Sequence, residues 1–128
     1  MQGGDDSLRK GKSISTLCIP ETYQAYLAEY IRNISKIPFI SRVILFGSCA
    51  RGMVDNHSDI DIFITTNRDI SEEEEMLVTF HSLPPITVDT VPIDIIVQSE
   101  STFSSLANQF GMVQKQVSKY GVDLSELL

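Results

Sequence analysis

The chain has 128 residues, 42% of them hydrophobic, enough for one compact domain with one core and too few for two. Ten Lys and Arg against seventeen Asp and Glu leave a formal net charge of -7, which argues against attachment to duplex nucleic acid, because such affinity comes from neutralising phosphates with basic side chains. No apolar run reaches the roughly 18 residues that suggest a membrane span, and the start, Met1-Gln2-Gly3-Gly4-Asp5-Asp6, is polar where a secretory leader is basic and then apolar.

Cys18 and Cys49 show no repeated spacing, so they read as free thiols of a reducing compartment rather than as a disulfide or a zinc site. A soluble, cytoplasmic protein is expected. Residues 1–16, rich in Gly, Ser, Asp and Lys, read as a loosely ordered tail, and residues 17–128 as the folded domain.

From Pro20 to about Ile37, Tyr23, Tyr26, Leu27, Tyr30, Ile31 and Ile34 recur every three or four positions, which predicts an amphipathic helix. Arg42-Val43-Ile44-Leu45-Phe46 predicts a buried strand, ended by Gly47-Ser48, with Ser48 to Arg51 as a first helical turn. From Asp59 to Thr65, Asp59, Asp61 and Phe63 alternate with Ile60, Ile62 and Ile64, the two-residue period of a strand with unlike faces. A turn at Asn67-Arg68-Asp69 then leads to a helix from Ser71, where Glu74 can complete a capping box.

Pro84-Pro85 ends that helix, Ile93 to Val97 predicts a third strand, and one last helix is expected from about Ser101 to Tyr120. The predicted order is α-β-α-β-α-β-α. It implies an α+β (α/β) domain, a small mixed β-sheet with helices packed on it.

Successive strand side chains alternate in direction, so Asp59 and Asp61 project from one face while the isoleucines bury on the other. Two carboxylates held together repel unless a cation lies between them, and magnesium prefers carboxylate oxygens. A third carboxylate would allow two ions to be bridged. Asp94, set among Ile93, Ile95 and Ile96, is the first candidate, on the expectation that a charge embedded there needs compensation. Asp89 is the weaker alternative.

Gly47 permits close backbone approach, and amides at a helix start together with the Ser48 hydroxyl suit phosphate oxygens. Asp59, Asp61 and Asp94 are thus the candidate catalytic and metal-ligating residues, for in-line phosphoryl transfer with magnesium, Asp94 helping to activate the acceptor hydroxyl. Arg51 can contact a phosphate or pair with an aspartate, and Ser58 can donate to a phosphate or cap a turn. His57, His81, the acidic run Glu72 to Glu75 and the basic pair Lys115 and Lys119 have ordinary structural readings. So do Tyr23, Tyr26 and Tyr30, as packing, and Cys49, as a spectator.

The segment Leu45-Phe46-Gly47-Ser48-Cys49-Ala50-Arg51-Gly52 followed by Ser58-Asp59-Ile60-Asp61 resembles the minimal nucleotidyltransferases of the polymerase-beta-like superfamily, over roughly residues 21 to 126. The resemblance implies a polymerase-beta palm-like fold and AMP transfer from magnesium-ATP, with two ions expected. It places Gly47 and Ser48 against the nucleotide and Asp59, Asp61 and Asp94 around the metal, while Arg51 and Ser58 remain candidate nucleotide contacts read from their positions alone. Lys119-Tyr120-Gly121 also resembles the family's closing helix and glycine, although Ser125 stands where an aromatic residue is usual.

Larger members carry an extra helical domain for their acceptor, for which a chain ending at Leu128 is expected to have no room. Members of this size resemble the antitoxins of toxin-antitoxin pairs, which implies a helical HEPN-type partner adenylylated on a tyrosine. A homo- or hetero-oligomer is compatible with that reading. The alternatives are a non-catalytic module that masks its partner and an aminoglycoside-type transferase acting on a small molecule.

Overall fold

The computed structural model describes residues 9–10, 14, 17–52, 58–85, 91–109 and 111–128. In chain order these form β1 (Arg9–Lys10), α1 (Glu21–Ile34), β2 (Ile40–Phe46), α2 (Gly47–Ala50), β3 (Ile60–Thr66), α3 (Glu72–Met76), β4 (Ile93–Ser99), α4 (Glu100–Leu106), α5 (Val113–Tyr120) and β5 (Val122–Asp123). A π-helical turn, Leu77–His81, continues α3, and a 3-10 turn, Ser125–Leu127, closes the chain.

The strands make one mixed sheet in the order β1-β5-β2-β3-β4. β2 runs antiparallel to both β3 and β5, while β3 and β4 are parallel, as are β1 and β5. Two residues of the expected tail, Arg9 and Lys10, therefore belong to the sheet; most of residues 1–16 lie outside the described residues. Strands β1 and β5 are two residues each, too short to show a period.

The alternation in β2 and β3 explains why helices pack on both faces. Val43, Leu45, Ile60, Ile62 and Ile64 point one way, into a core with Tyr23, Leu27, Tyr30, Ile31 and Ile34 of α1 and with Val78. Ile44 and Phe63 point the other way, against Phe103 of α4 and Val117 of α5. Each fully buried Ile or Leu contributes about 1.5–3 kcal/mol of transfer free energy, so these rows dominate the fold's stability.

The start of α3 follows the sequence closely. The Ser71 side chain accepts from the Glu74 N–H while the Glu74 carboxylate accepts from the Ser71 N–H.

The last helix differs from expectation, being two helices. Gly111 has φ +86 and Met112 is extended at φ -89, ψ 144, a path that interrupts the helical hydrogen-bond ladder between Leu106 and Val113. Among the described residues no helix is long and apolar enough to cross a membrane.

Candidate functional site

Pairing register turns the alternation into rungs across the face that carries α4 and α5. The first rung is Phe46–Asp61–Asp94, the second Ile44–Phe63–Ile96 and the third Arg42–Thr65–Gln98. The first rung is acidic. The second is an apolar floor, with Phe63 and Phe103 ring centroids 5.0 Å apart. At the third, Arg42 donates to both Glu100 carboxylate oxygens, at 2.5 and 3.1 Å, and its guanidinium lies 5.0 Å from the Phe103 ring centre.

Asp61 and Asp94 are thus direct neighbours on adjacent strands, and Asp59 stands one residue ahead of β3. Asp61 is half-buried, and its carboxyl is pushed above the ordinary carboxylate range, first by burial and then by the charges of Asp94 and Asp59. Those three aspartates therefore share one field. Asp94, by contrast, is exposed, because β4 is the edge strand and only Ile93, Ile95 and Val97 turn toward the core. The expected cost of embedding its charge does not arise: a run of apolar residues at a sheet edge buries one face only.

Gly47 is bound to this cluster by two constraints. Its φ is +72, which L side chains rarely adopt. A Cβ at this position would collide with Asp61 Oδ2 and stand 3.1 Å from Asp61 Cγ. The turn from β2 into α2 can come this close to the carboxylate only as glycine.

The neighbours of Gly47 complete the rim. Ser48 follows in α2, half-buried, and its carbonyl accepts the Arg51 N–H at 3.1 Å. The exposed Arg51 lies with its guanidinium 5.0 Å from the Tyr120 ring centre, over which Lys119 also sits, at 5.3 Å. Ser58 is half-buried, its carbonyl taking a hydrogen bond from the Tyr23 hydroxyl at 2.6 Å. The Cys49 thiol donates to the Asp59 carbonyl at 3.3 Å and is pushed up to about 11 by burial, then by Asp61 and Asp59.

Tyr23, Cys49 and Tyr120 thus touch the candidate site, although the first two read from the sequence as packing and spectator residues. The contact of Tyr23 with Ser58 spans 35 residues, and no local pattern signals it. His57 and Asp89 lie outside the described residues. His81 packs edge-on against Phe80, and Glu74 pairs with Arg68 at 2.7 Å. Both belong to the α3 region rather than to this rung.

Among the described residues no three His, Cys, Asp or Glu side chains come together as a set that could hold a metal ion. The carboxylate oxygens of the first rung nevertheless fit a hard divalent cation of the magnesium type. Such an ion takes one or two carboxylates and fills its remaining positions with water and substrate phosphate, and the crowding that raises Asp61 is what a cation relieves.

A model of the nucleotidyltransferase domain matches residues 26–124 of the chain. Among solved structures, a protein of Sulfolobus solfataricus assigned as a nucleotidyltransferase aligns with a TM-score of 0.50 at 25% identity, covering 75% of this chain and 82% of that one. No protein of curated function matches the chain.

Proposed function

The chain belongs to the nucleotidyltransferase-domain family, and from that premise we propose that it transfers AMP from magnesium-ATP to a hydroxyl in the cytoplasm, the acceptor being a tyrosine of a helical HEPN-type partner protein. The observation that carries the reading is the packing of Gly47 against Asp61 on the rung shared with Asp94. In this reading the packing sets a turn suited to phosphate directly against a pair of carboxylates, the juxtaposition that nucleotidyl transfer requires.

In this reading the residues divide the work. The Gly47 turn and the Ser48 hydroxyl hold phosphate oxygens, and Arg51, steadied by Tyr120, supplies positive charge beside them. Asp59, Asp61 and Asp94 would hold the metal. Asp94, exposed at the sheet edge, is also open to an incoming acceptor and takes the hydroxyl proton on its carboxylate. Magnesium, when bound, neutralises triphosphate charge and orients the leaving pyrophosphate.

A separate protein suits the acceptor role because Asp94 lies on the edge strand β4, and both it and Asp59 are exposed. The test combines the purified chain with magnesium-ATP and the protein encoded beside it, followed by intact-mass analysis of that protein. The expected result is an AMP adduct on a tyrosine, lost with Asp61→Asn. A partner that binds tightly yet stays unmodified, with no magnesium-dependent ATP binding by calorimetry, would identify a masking module instead. Turnover of an aminoglycoside by this chain alone would identify a small-molecule transferase.

A further inference from the structure

Three consecutive residues at the entry to β3 have their main chain tied to three separate segments of the chain. Tyr23 of α1, only 4% exposed, donates its hydroxyl proton to the Ser58 carbonyl at 2.6 Å. Cys49 of α2, 2% exposed, donates from its thiol to the Asp59 carbonyl at 3.3 Å. The Ile60 N–H donates to the Pro92 carbonyl, just ahead of β4, at 2.8 Å. Between these tethers the side chain of Asp59 is exposed.

The pattern is informative because carbonyls beside an exposed residue can be satisfied by water without cost. Here they are met instead by a phenol and a thiol drawn from the buried core. Fixing the main chain at Ser58, Asp59 and Ile60 sets the position from which the Asp59 carboxylate reaches out, and a ligand set gains affinity when its geometry is held in advance.

We propose that Tyr23 and Cys49 are positioning residues for the metal-nucleotide site, holding the Ser58–Asp59 main chain so that the Asp59 side chain departs from a fixed place beside the rung of Asp61 and Asp94. The proposal rests on the reading of Asp59 as a metal ligand given above. Tyr23 acts from α1 and Cys49 from α2, so the same turn that holds phosphate also holds the first carboxylate. The two halves of the site are thereby locked to each other.

The structure supplies its own control. Tyr30, on the same helix and fully buried, donates its hydroxyl to the Val78 carbonyl at 2.7 Å. Tyr30→Phe removes a comparable bond at a carbonyl of the π-helical turn rather than beside Asp59.

The experiment measures Mn2+ binding to the full chain, with a non-hydrolysable ATP analogue, by the electron paramagnetic resonance signal of the free ion; thermal midpoints are recorded alongside. A hydrogen bond contributes about 1 kcal/mol, so Tyr23→Phe and Cys49→Ala are each expected to weaken the Mn2+ Kd by about five-fold. Cys49→Ser, which keeps a donor, should stay near wild type, and Tyr30→Phe should lower the thermal midpoint while leaving the Kd unchanged. An unchanged Kd in Tyr23→Phe and Cys49→Ala, with Asp59→Ala strongly weakened, rejects the positioning role and leaves the reading of Asp59 standing. If Tyr30→Phe weakens the Kd as much as Tyr23→Phe, the effect is general loosening and the proposal fails. If Asp59→Ala itself binds Mn2+ like wild type, the reading of the site fails and this inference with it.

Discussion

Replacing Gly47 by alanine isolates the contact on which the site is built. Two costs are separable. Forcing an L residue into the left-handed region at φ +72 costs about 1–2 kcal/mol. The added Cβ also collides with Asp61 Oδ2 and stands 3.1 Å from its Cγ. The carboxylate must rotate away, and overpacking of this kind costs typically about 1–3 kcal/mol. Gly47→Ala should therefore lose about 2–5 kcal/mol in all, the sum of those two ranges.

A double-mutant cycle separates the two costs. In an Asp61→Ala background the carboxylate is gone and the nearest remaining atom is the residue 61 Cβ, 3.3 Å from the new Cβ. The φ strain and this one tight contact are left while the collision with the carboxylate is removed, so Gly47→Ala should cost about 1–3 kcal/mol less there than in wild type. The assay is urea denaturation of the four proteins, at pH 7 without metal, with equal m-values as the condition for comparing midpoints. Additivity within about 0.5 kcal/mol would show that Gly47 and Asp61 do not touch, and would refute the packing argument.

Other expectations follow from the same rung and its surroundings. Asp61 has a raised folded-state pKa, so its protonated form favours folding; that stability is complete below the ordinary 3.8 and is lost as pH rises through the raised value. Asp61→Asn should accordingly raise the metal-free thermal midpoint at pH 7, with the difference from wild type vanishing below pH 3.8, and a lower midpoint at pH 7 would contradict the crowding of three carboxylates. Thiol titration at pH 7.5 should find Cys18, which is exposed, reacting quickly, and Cys49, buried and pushed up to about 11, reacting only after denaturation; mass mapping of the labelled peptide decides. Gly121→Ala would place a Cβ 2.5 Å from both Ile44 Cγ2 and the Val117 carbonyl oxygen, so a loss of about 1–3 kcal/mol in urea denaturation is expected.

What the sequence made legible was local. The alternation of Asp59, Asp61 and Phe63 with Ile60, Ile62 and Ile64 predicted two unlike faces, and the three isoleucines do share a core with α1 while Phe63 lies against Phe103. Ser71 and Glu74 form the capping box their spacing predicts. The membership of the fold was legible for the same reason, since the glycine-serine turn and the aspartate pair are contiguous in the chain.

What stayed hidden was set by tertiary context. Asp94 was placed on the right strand, yet its surroundings suggested burial, because whether a strand lies inside a sheet or at its edge depends on strand order and not on its own residues. The break between α4 and α5 turns on the positive φ of Gly111, and glycine within a polar helical pattern does not announce which φ it adopts. β1 and β5, two residues each, are too short to carry a period and are defined by their pairing with distant strands. The hydrogen bond from Tyr23 to Ser58 joins segments that only the packing of α1 on the sheet brings together.

Metal-dependent nucleotidyl transfer on the rung of Asp61 and Asp94 is tested most directly by the position of a radioactive label. The chain is incubated with magnesium, the protein encoded beside it and ATP labelled at either the α- or the γ-phosphate. Label from the α-position should become covalently bound to the acceptor, label from the γ-position should leave as pyrophosphate, and both Asp61→Asn and chelation of magnesium should abolish incorporation. Covalent γ-label, or α-label transferred equally well by Asp61→Asn, would contradict it.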